Sequence, residues 1–282
     1  MNLRKALDRA KKEREGRSET YRSSAAIVRP ENASEWQAPV YTHSKTVTID
    51  TRLALKNHCV ALSSDYFEAN NHYKVLRTQL RRMKEEKPLK TLMVTSACQN
   101  EGKTVTAINL AATFAREYNH TVLLVDADLR MQMVHRYLGY DSRLGLLDYL
   151  EGKAAVSDIM VWPGIDKLTI ISGERVVDES SEMIGSKRMQ ALMDELKQRY
   201  DDRFVIFDAP PVLGVADVLA LAPLVDGIIV VVGAGVTSRK SLKEAIELLP
   251  QEQIVGFVLN RFTGANKLYG AYSGYRYGAY GR

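Results

Sequence analysis

The chain of 282 residues is 45% hydrophobic, which suffices for a globular core, and it contains no apolar run of the ~18–20 residues that a membrane span needs. Its net charge of +5 is unevenly divided, since residues 1–60 carry +5, residues 261–282 carry +4 and the body between them carries −4. An acidic body argues against a nucleic-acid-binding face, and two cysteines form neither a disulfide framework nor a CxxC metal site. The charged N-terminus lacks a secretory signal core, so we expect a cytoplasmic protein that binds no specific nucleic acid.

The first 60 residues are predicted to form an arm ahead of the main domain. Residues 2–15 place small apolar side chains at helical spacing among many charges, which indicates a short amphipathic helix. A solvated docking helix and a helix that contacts a membrane or a protein partner are both open interpretations. Residues 16–60 lack sustained periodicity and are interpreted as a linker with a strand near 45–50.

A helix is predicted over residues 66–84. Six apolar side chains step by three or four positions and define one face: Tyr66, Ala69, Tyr73, Leu76, Leu80 and Met83. The basic side chains that lie off this face are Lys74, Arg77, Arg81, Arg82 and Lys84. We expect the apolar face to pack against the core. The basic face is expected to be solvated, with a contact between subunits as the alternative.

Beyond residue 90, short apolar runs alternate with helical stretches. The strand-like runs are 91–95, 121–125, 168–171, 203–207, 227–232 and 254–259, and the clearest helical patterns are 103–117, 186–200 and 238–249. Strands of continuous hydrophobicity separated by helices are typical of a mainly parallel sheet with helices on both faces. We therefore predict an α/β domain over residues 61–262, with ligands at the carboxyl ends of its strands, followed by a flexible tail over residues 263–282.

The first strand of this series runs into SACQNEGKTVTAINLA, residues 96–111. The segment follows the phosphate-loop pattern GxxxxGK[ST] of P-loop NTPases, except that Ala97 replaces the first glycine. Backbone N–H groups over residues 99–104 can wrap a phosphate, Lys103 can reach the β- and γ-phosphates, and the Thr104 hydroxyl can bind Mg²⁺. The candidate nucleotide-binding residues are Gln99, Asn100, Glu101, Gly102, Lys103, Thr104 and Thr106. Cys98 is interpreted as a spacer of this loop, with a redox switch as the alternative.

Three aspartates follow two other strands of the predicted sheet. Asp126 and Asp128 end the second strand in VDADLR, and Asp208 ends the fourth in VIFDAPP. A single aspartate after a strand is often an N-cap or turn residue. Three of them beside a phosphate loop instead suit Mg²⁺ and phosphoryl transfer from ATP. The predicted metal ligands are Thr104, Asp126 and Asp208, and Lys103 joins the three aspartates in the predicted catalytic set.

These motifs resemble those of the bacterial tyrosine kinases of capsule and exopolysaccharide synthesis. The similarity covers roughly residues 66–262 and the tail, and it includes the segments ACQNEGKT, VLLVDADLR, FVIFDAPP and GFVLNR. The resemblance implies that Asp126 activates the acceptor hydroxyl, that Asp128 and Asp208 support the metal, and that Asn260 lies near the base. An asparagine after a strand is also commonly a turn residue. The resemblance further implies autophosphorylation of the tyrosines in the tail, which are Tyr269, Tyr272, Tyr275, Tyr277 and Tyr280.

Partners are also implied by the resemblance. Many family members are fused to a membrane-spanning chain-length domain, and this chain is similar to the detached form. It would then need a separate membrane-spanning co-polymerase as activator, a phosphatase, and recruitment to the inner face of the cell membrane. Where members carry Glu-x-x-Arg-x-x-Arg for ring assembly, this chain has Asn71, Lys74 and Arg77. A homo-oligomer through the 66–84 helix is therefore expected, and a ring is left open. After VDADLR, members carry a basic residue and a proline, whereas this chain has Met131 and Gln132.

Two other functions share these motifs. Partitioning ATPases of the ParA and MinD kind have the same sheet and the same carboxylates. They carry a signature lysine where this chain has Cys98, and they need no tyrosine-rich tail. A nucleotide-binding regulatory subunit without transferase activity is the third class. The kinase interpretation is favoured because it alone uses the tail.

Overall fold

A computed structural model describes residues 45–117, 120–198 and 203–262 of the chain. They form an eight-stranded sheet in the order β1-β4-β5-β3-β6-β2-β7-β8, in which only the β4–β5 pair is antiparallel among the described strands. The strands are β1 (Lys45–Thr46), β2 (Thr91–Ser96), β3 (Thr121–Asp126), β4 (Val161–Trp162), β5 (Leu168–Ile171), β6 (Arg203–Asp208), β7 (Gly227–Gly233) and β8 (Ile254–Asn260). The mainly parallel α/β sheet predicted from the sequence is confirmed.

Helices cover this sheet on both faces. They are α1 (Thr51–Lys56), α2 (Phe67–Glu86), α3 (Lys103–Ala115), α4 (Val134–Leu138), α5 (Leu146–Leu150), α6 (Val156–Ile159), α7 (Ser180–Ile184), α8 (Lys187–Gln198), α9 (Asp217–Leu221) and α10 (Arg239–Leu248). Short 3₁₀ turns occupy Val60–Leu62, Ala222–Leu224 and Gln251–Gln253. The three long helices predicted after the phosphate loop correspond to α3, α8 and α10, each within a few residues at its ends.

Continuous hydrophobicity in the central strands follows from burial on both sides. Every residue of β2, β3 and β6 is buried. In β6, Phe204 and Ile206 pack in the cluster that contains the apolar side of α3, whereas Val205 and Phe207 pack in the opposite cluster with α8. Phe204 also stacks on Phe114 of α3, with ring centroids 4.5 Å apart. The sheet is therefore a rigid platform whose carboxyl edge can hold polar side chains in fixed positions.

Helix α2 packs as its spacing predicts, apart from its first turn. Leu80 is buried, and Leu76 and Met83 lie against the same cluster as α3. Tyr66, by contrast, precedes the helix and is exposed. On the basic face, Arg77 lies 3.0 Å from the carboxylate of Glu117 and donates to the carbonyl oxygen of Thr113. Part of the basic face therefore joins α2 to the end of α3, which the sequence did not predict.

Residues 51–61 are folded against the domain, although the sequence predicted a linker up to residue 60. Helix α1 begins after Asp50, whose carboxylate accepts the Leu53 N–H at 3.0 Å. Ala54, Cys59 and Ala61 are buried, and the Asn57 side chain donates to a carbonyl oxygen near α4. The linker predicted to run to residue 60 was wrong over residues 51–60, because a six-residue helix is too short to produce a periodic pattern. Of the strand expected near 45–50, only Lys45–Thr46 is present, as β1.

Other predictions fall on residues outside the described ranges. These are the amphipathic helix over residues 2–15, the linker over residues 16–44 and the tyrosine-rich tail. Within the described ranges, none of the helices combines the length and the apolar character that a bilayer crossing demands.

Candidate active site

The carboxyl ends of β2, β3 and β6 bring the predicted site residues together. Asp126 and Asp208 are direct neighbours in the register of β3 and β6, and β2 runs beside β6 into the phosphate loop. Parallel strands align their carboxyl ends at one edge of a sheet, so three motifs that are far apart in sequence meet there. Lys103 begins α3, and its ammonium group reaches the carboxylates at this edge.

The phosphate loop has a backbone that its sequence explains. Gly102 has φ +97° and caps α3, a left-handed conformation that favours glycine. A Cβ at this position would also lie 2.0 Å from the side-chain nitrogen of Asn260. Asn100 has φ +62°, which asparagine tolerates better than most residues. Gln99 and Asn100 are exposed, so the loop surface between β2 and α3 is accessible.

Lys103 is held within the carboxylate cluster. Its Nζ lies 2.9 Å from Asp128 Oδ2 and 3.8 Å from Asp208 Oδ1. Burial lowers the pKa of Lys103, but Asp208 and Asp128 outweigh this effect and raise the pKa above its ordinary value. Lys103 therefore stays a cation, as phosphate binding requires. The second oxygen of Asp128 accepts the Met131 N–H at 3.0 Å, so both of its oxygens are engaged.

Asp126 presents one engaged and one unengaged oxygen. Oδ2 accepts the backbone N–H groups of Met133 and Val134, both at 2.9 Å, and the Ser172 hydroxyl at 3.0 Å. Oδ1 is buried without a hydrogen-bond partner among the described residues. Burial, and then the charge of Asp208, raise the pKa of Asp126, while the backbone donors oppose the rise. The carboxylate is thus fixed from one side and unengaged on the other.

Asp208 is the least engaged of the three carboxylates. It is fully buried, and neither oxygen accepts a hydrogen bond of normal geometry from a described residue. Burial raises the pKa of Asp208, while the Lys103 ammonium and the neighbouring Thr104 hydroxyl favour its charged form. Buried polar atoms are normally satisfied, so such oxygens require an explanation.

The unengaged oxygens fit a magnesium ion. Asp208 contributes two and Asp126 one, and carboxylate oxygens are the ligands that Mg²⁺ prefers. The described residues contain no group of three or more His, Cys, Asp or Glu side chains that could enclose a metal. Mg²⁺ is usually held by one or two carboxylates together with waters and substrate phosphates, so the sparse set is what a nucleotide-dependent site needs.

The side chains of three predicted nucleotide-binding residues are already engaged in contacts within the protein. Glu101 is fully buried, and its carboxylate accepts the Cys98 N–H at 3.1 Å. Asn260 donates to the Glu101 carbonyl oxygen at 2.9 Å, so its amide nitrogen is used on the loop. Thr106 is buried beside Tyr73. Any contact of these three with a nucleotide is left to backbone groups and to the Asn260 oxygen, and the predicted base contact of Asn260 stays a prediction.

Some residues of the site were missed by sequence reasoning. Ser172 follows β5 and orients Asp126, and its hydroxyl also lies 3.1 Å from His135 Nδ1. The rule that selected the aspartates, a polar residue at a strand's carboxyl end, would have found it.

Gln132 accepts the Gly173 N–H and donates to the Arg175 carbonyl oxygen. Gln132, which departs from the family pattern, therefore connects the loops that follow β3 and β5. Cys98 is half-buried against the core, and its predicted role as a spacer stays a prediction.

The chain is similar to several known proteins. Residues 90–253 match the family described as an AAA domain. The chain is 31% identical over 208 residues to the tyrosine-protein kinase YwqD of Bacillus subtilis, which covers 73% of this chain and 86% of that relative. The kinase domain of the Escherichia coli tyrosine kinase ETK is 28% identical, with a TM-score of 0.67 over 77% of this chain and 88% of that one. MinD of Pyrococcus horikoshii, solved with Mg-ADP, is 22% identical with a TM-score of 0.53 over 62% of this chain and 71% of that one, which concerns the fold alone.

Proposed function

The chain belongs to the bacterial tyrosine-protein kinase family, and we propose that it transfers the γ-phosphoryl group of ATP to tyrosines of its own C-terminal cluster. The observation that carries this proposal is the meeting of Lys103 with Asp126, Asp128 and Asp208 below a phosphate loop. Five of the fourteen tyrosines lie within residues 269–280, in a terminal stretch without acidic residues, which supplies acceptors in the same molecule. The partitioning-ATPase alternative is not retained, because the relatives that are 31% and 28% identical are tyrosine kinases, whereas the likeness to MinD concerns the fold alone.

The nucleotide would be held mainly by the backbone of residues 99–104 and by Lys103. Helix α3 directs its N-terminal N–H groups toward the loop, where a phosphate is favoured by both hydrogen bonding and the helix dipole. Lys103 is already surrounded by carboxylates, and a phosphate oxygen would take the place of Asp128 at its ammonium. Mg²⁺ would be held by Thr104 and Asp208 and would neutralise the charge that develops on the phosphates. Asp126 was also predicted as a metal ligand, but its one unengaged oxygen is assigned instead to the proton of the acceptor phenol.

In the transfer step, the phenol oxygen forms a bond to the γ-phosphorus. The bond between that phosphorus and the β–γ bridging oxygen breaks, and ADP leaves with the bonding electrons. The phenol proton passes to Oδ1 of Asp126, the oxygen that the protein leaves unengaged. Ser172 and two backbone N–H groups hold the other oxygen, so the carboxylate cannot turn away. Phosphoryl transfer passes through a loose, largely dissociative transition state, so its rate depends more on positioning and charge than on the strength of the base.

The proposed transfer has two routes, in which the tail enters the active site of its own subunit or that of a neighbouring one. A flexible segment of ~15–20 residues has an r.m.s. span of roughly 20–25 Å. The two routes are separated by mixing a Lys103→Ala chain that has the tail with an active chain that lacks it. Phosphate on the tail of the Lys103→Ala chain requires transfer between subunits, and an unmodified tail contradicts that route.

The cellular setting belongs to the same proposal. By resemblance, a membrane-spanning co-polymerase activates the kinase at the inner face of the cell membrane, a phosphatase resets the tail, and the cycle regulates polysaccharide synthesis or export. Basic side chains on α2 are candidates for contacts between subunits. Two of them, Arg77 and Arg81, also contact Glu117 within the chain. Co-purification of the kinase with the co-polymerase, dependent on ATP, tests this part.

Labelled ATP followed by acid hydrolysis tests the activity. We expect phosphotyrosine in the parent protein and none in Lys103→Ala, because the loss of the ammonium removes the charge that holds the phosphates. Release of inorganic phosphate without phosphotyrosine would identify an ATPase instead and would contradict the proposal. Nucleotide binding without turnover, in the presence of the activator, would contradict it as well.

A further inference from the structure

The phosphate loop is fastened to the sheet through a buried carboxylate. Glu101 is fully buried, and Oε2 accepts the Cys98 N–H at 3.1 Å, which closes the loop on itself. Oε1 accepts the hydroxyl of Thr237, which lies 136 positions further along the chain. Both oxygens are therefore used by the protein, and neither is left for a ligand.

Thr237 links this carboxylate to the end of β7. Its hydroxyl donates to Glu101 and accepts the N–H of Gly233, the last residue of β7, at 2.8 Å. A single hydroxyl thus joins the rigid sheet to the loop that precedes α3. A second contact acts on the same residue from β8, where Asn260 donates to the Glu101 carbonyl oxygen at 2.9 Å.

The loop needs such fastening because its backbone is not intrinsically stable. Asn100 at φ +62° and Gly102 at φ +97° both occupy the left-handed region. Residues in that region persist only where their surroundings hold them. Without the hydroxyl of Thr237, one oxygen of Glu101 and the N–H of Gly233 would be buried and unsatisfied, and the loop would relax to satisfy them.

We propose that Thr237 is a positioning residue of the nucleotide site, which acts through Glu101 to hold the N–H groups of residues 99–104 in their phosphate-binding arrangement. It does so without a contact to the nucleotide. The proposal rests on the nucleotide-binding part of the proposed function and does not depend on tyrosine transfer.

The test compares three variants of the full chain by fluorescence titration with MgADP and by ATP kinetics. Thr237→Val removes the hydroxyl at constant shape, and we expect roughly tenfold weaker binding of MgADP from the loss of a buried hydrogen bond. The KM for ATP is expected to rise similarly, while kcat changes by less than about twofold. Bound nucleotide restores the loop, so the bound substrate and the transition state lose the same binding free energy. Thr237→Ser keeps the hydroxyl and is expected to restore affinity.

Ser238→Ala is the matched control. Ser238 is adjacent in sequence and caps α10 by accepting the Ser241 N–H at 2.9 Å, with no hydrogen bond to the phosphate loop among the described residues. Its replacement is expected to lower the Tm without changing the Kd for MgADP. The proposal is overturned if Thr237→Val binds MgADP like the parent, if Thr237→Ser is as weak as Thr237→Val, or if Ser238→Ala weakens binding equally.

If Thr237→Val does not fold, Glu101→Gln takes its place. The carboxamide has the same shape but no charge, so the charge-assisted hydrogen bonds of Glu101 with Cys98 and Thr237 become weaker, neutral ones. We expect several-fold weaker MgADP binding, and an unchanged Kd overturns the proposal. Because the readout is affinity for MgADP, a parent protein that bound MgADP but formed no phosphotyrosine would count against the proposed transfer alone.

Discussion

At the scale of single residues, the three aspartates of the site differ in how many oxygens the protein already uses. Asp128 has both engaged, Asp126 has one engaged, and Asp208 has neither in a normal hydrogen bond among the described residues. The sequence predicted that these residues converge, because each ends a buried strand. It could not rank them, since the ranking depends on backbone donors in the loops after β3.

Asp126→Asn tests the assignment of the proton acceptor. The amide keeps an oxygen for the two backbone donors but cannot take a proton, so we expect tyrosine phosphorylation to fall by about 10²–10⁴-fold, the usual contribution of a general base. Binding of MgADP should persist, since the phosphate loop is untouched. Phosphorylation close to the parent rate, measured by phosphotyrosine detection over time, would show that another group accepts the proton.

The two cysteines should differ sharply in reactivity. Cys59 is fully buried, and burial raises the pKa of its thiol to about 12, so at pH 8 it remains protonated and inaccessible. Cys98 is half-buried in the phosphate loop. We expect iodoacetamide to label Cys98 first and MgADP to slow that labelling, as followed by peptide mass spectrometry. Labelling of Cys59 at the rate of Cys98 in the folded protein would contradict the packing of residues 51–62.

At the scale of elements, apolar runs predicted strands well because every residue of the central strands is buried on both faces. Long helices were predicted for a related reason, since each keeps one apolar side. Helix α1 was not predicted, because six residues are too few to show the helical repeat of hydrophobic side chains. The fastening of the phosphate loop by Thr237 was also missed, because a hydroxyl in a turn between β7 and α10 carries no signal that points 136 positions back.

The ion pair between α2 and the segment that follows α3 is predicted to stabilise the domain. Arg77 Nε lies 3.0 Å from Glu117, with 19% and 12% of the two side chains exposed. Glu117→Gln leaves the guanidinium partly buried with a weaker partner, and we expect a loss of about 1–3 kcal/mol in the free energy of unfolding. Urea denaturation followed by circular dichroism measures it.

Glu244→Gln on α10 is the control for this prediction. It breaks an exposed pair with Lys240 that is 3.8 Å long, where 87% of the lysine and 49% of the glutamate side chain are exposed. Exposed pairs of this kind contribute about 0.2–1 kcal/mol at most, so we expect a change near the lower end. Equal effects of the two substitutions would show that α2 does not depend on Glu117 for its attachment.

At the scale of the whole molecule, charge separates the acidic body from its basic ends. The last fifteen residues carry +2 from Arg276 and Arg282, and they contain five tyrosines. Five phosphates of about −1.5 to −2 each would change this charge to roughly −6 to −8. On this proposal, phosphorylation would turn a segment whose charge is opposite to that of the acidic body into one whose charge has the same sign.

A peptide of residues 268–282 tests this charge reversal. The unmodified peptide should bind the tail-deleted protein, and the peptide phosphorylated on all five tyrosines should bind at least about tenfold more weakly at low salt. The difference should shrink at ionic strengths near 1 M, where the screening length is about 3 Å. Fluorescence anisotropy measures both affinities. A phosphorylated peptide that binds as tightly as the unmodified one would exclude electrostatic release.

The central claim is that this site phosphorylates this tail, and intact mass measured before and after incubation with MgATP and the activator tests it most directly. The account predicts mass increases in steps of one phosphate, which fragment mapping places on Tyr269, Tyr272, Tyr275, Tyr277 and Tyr280, and no increase in Lys103→Ala. Fewer than one phosphate per chain on the tail, with ATP consumed, would contradict the account.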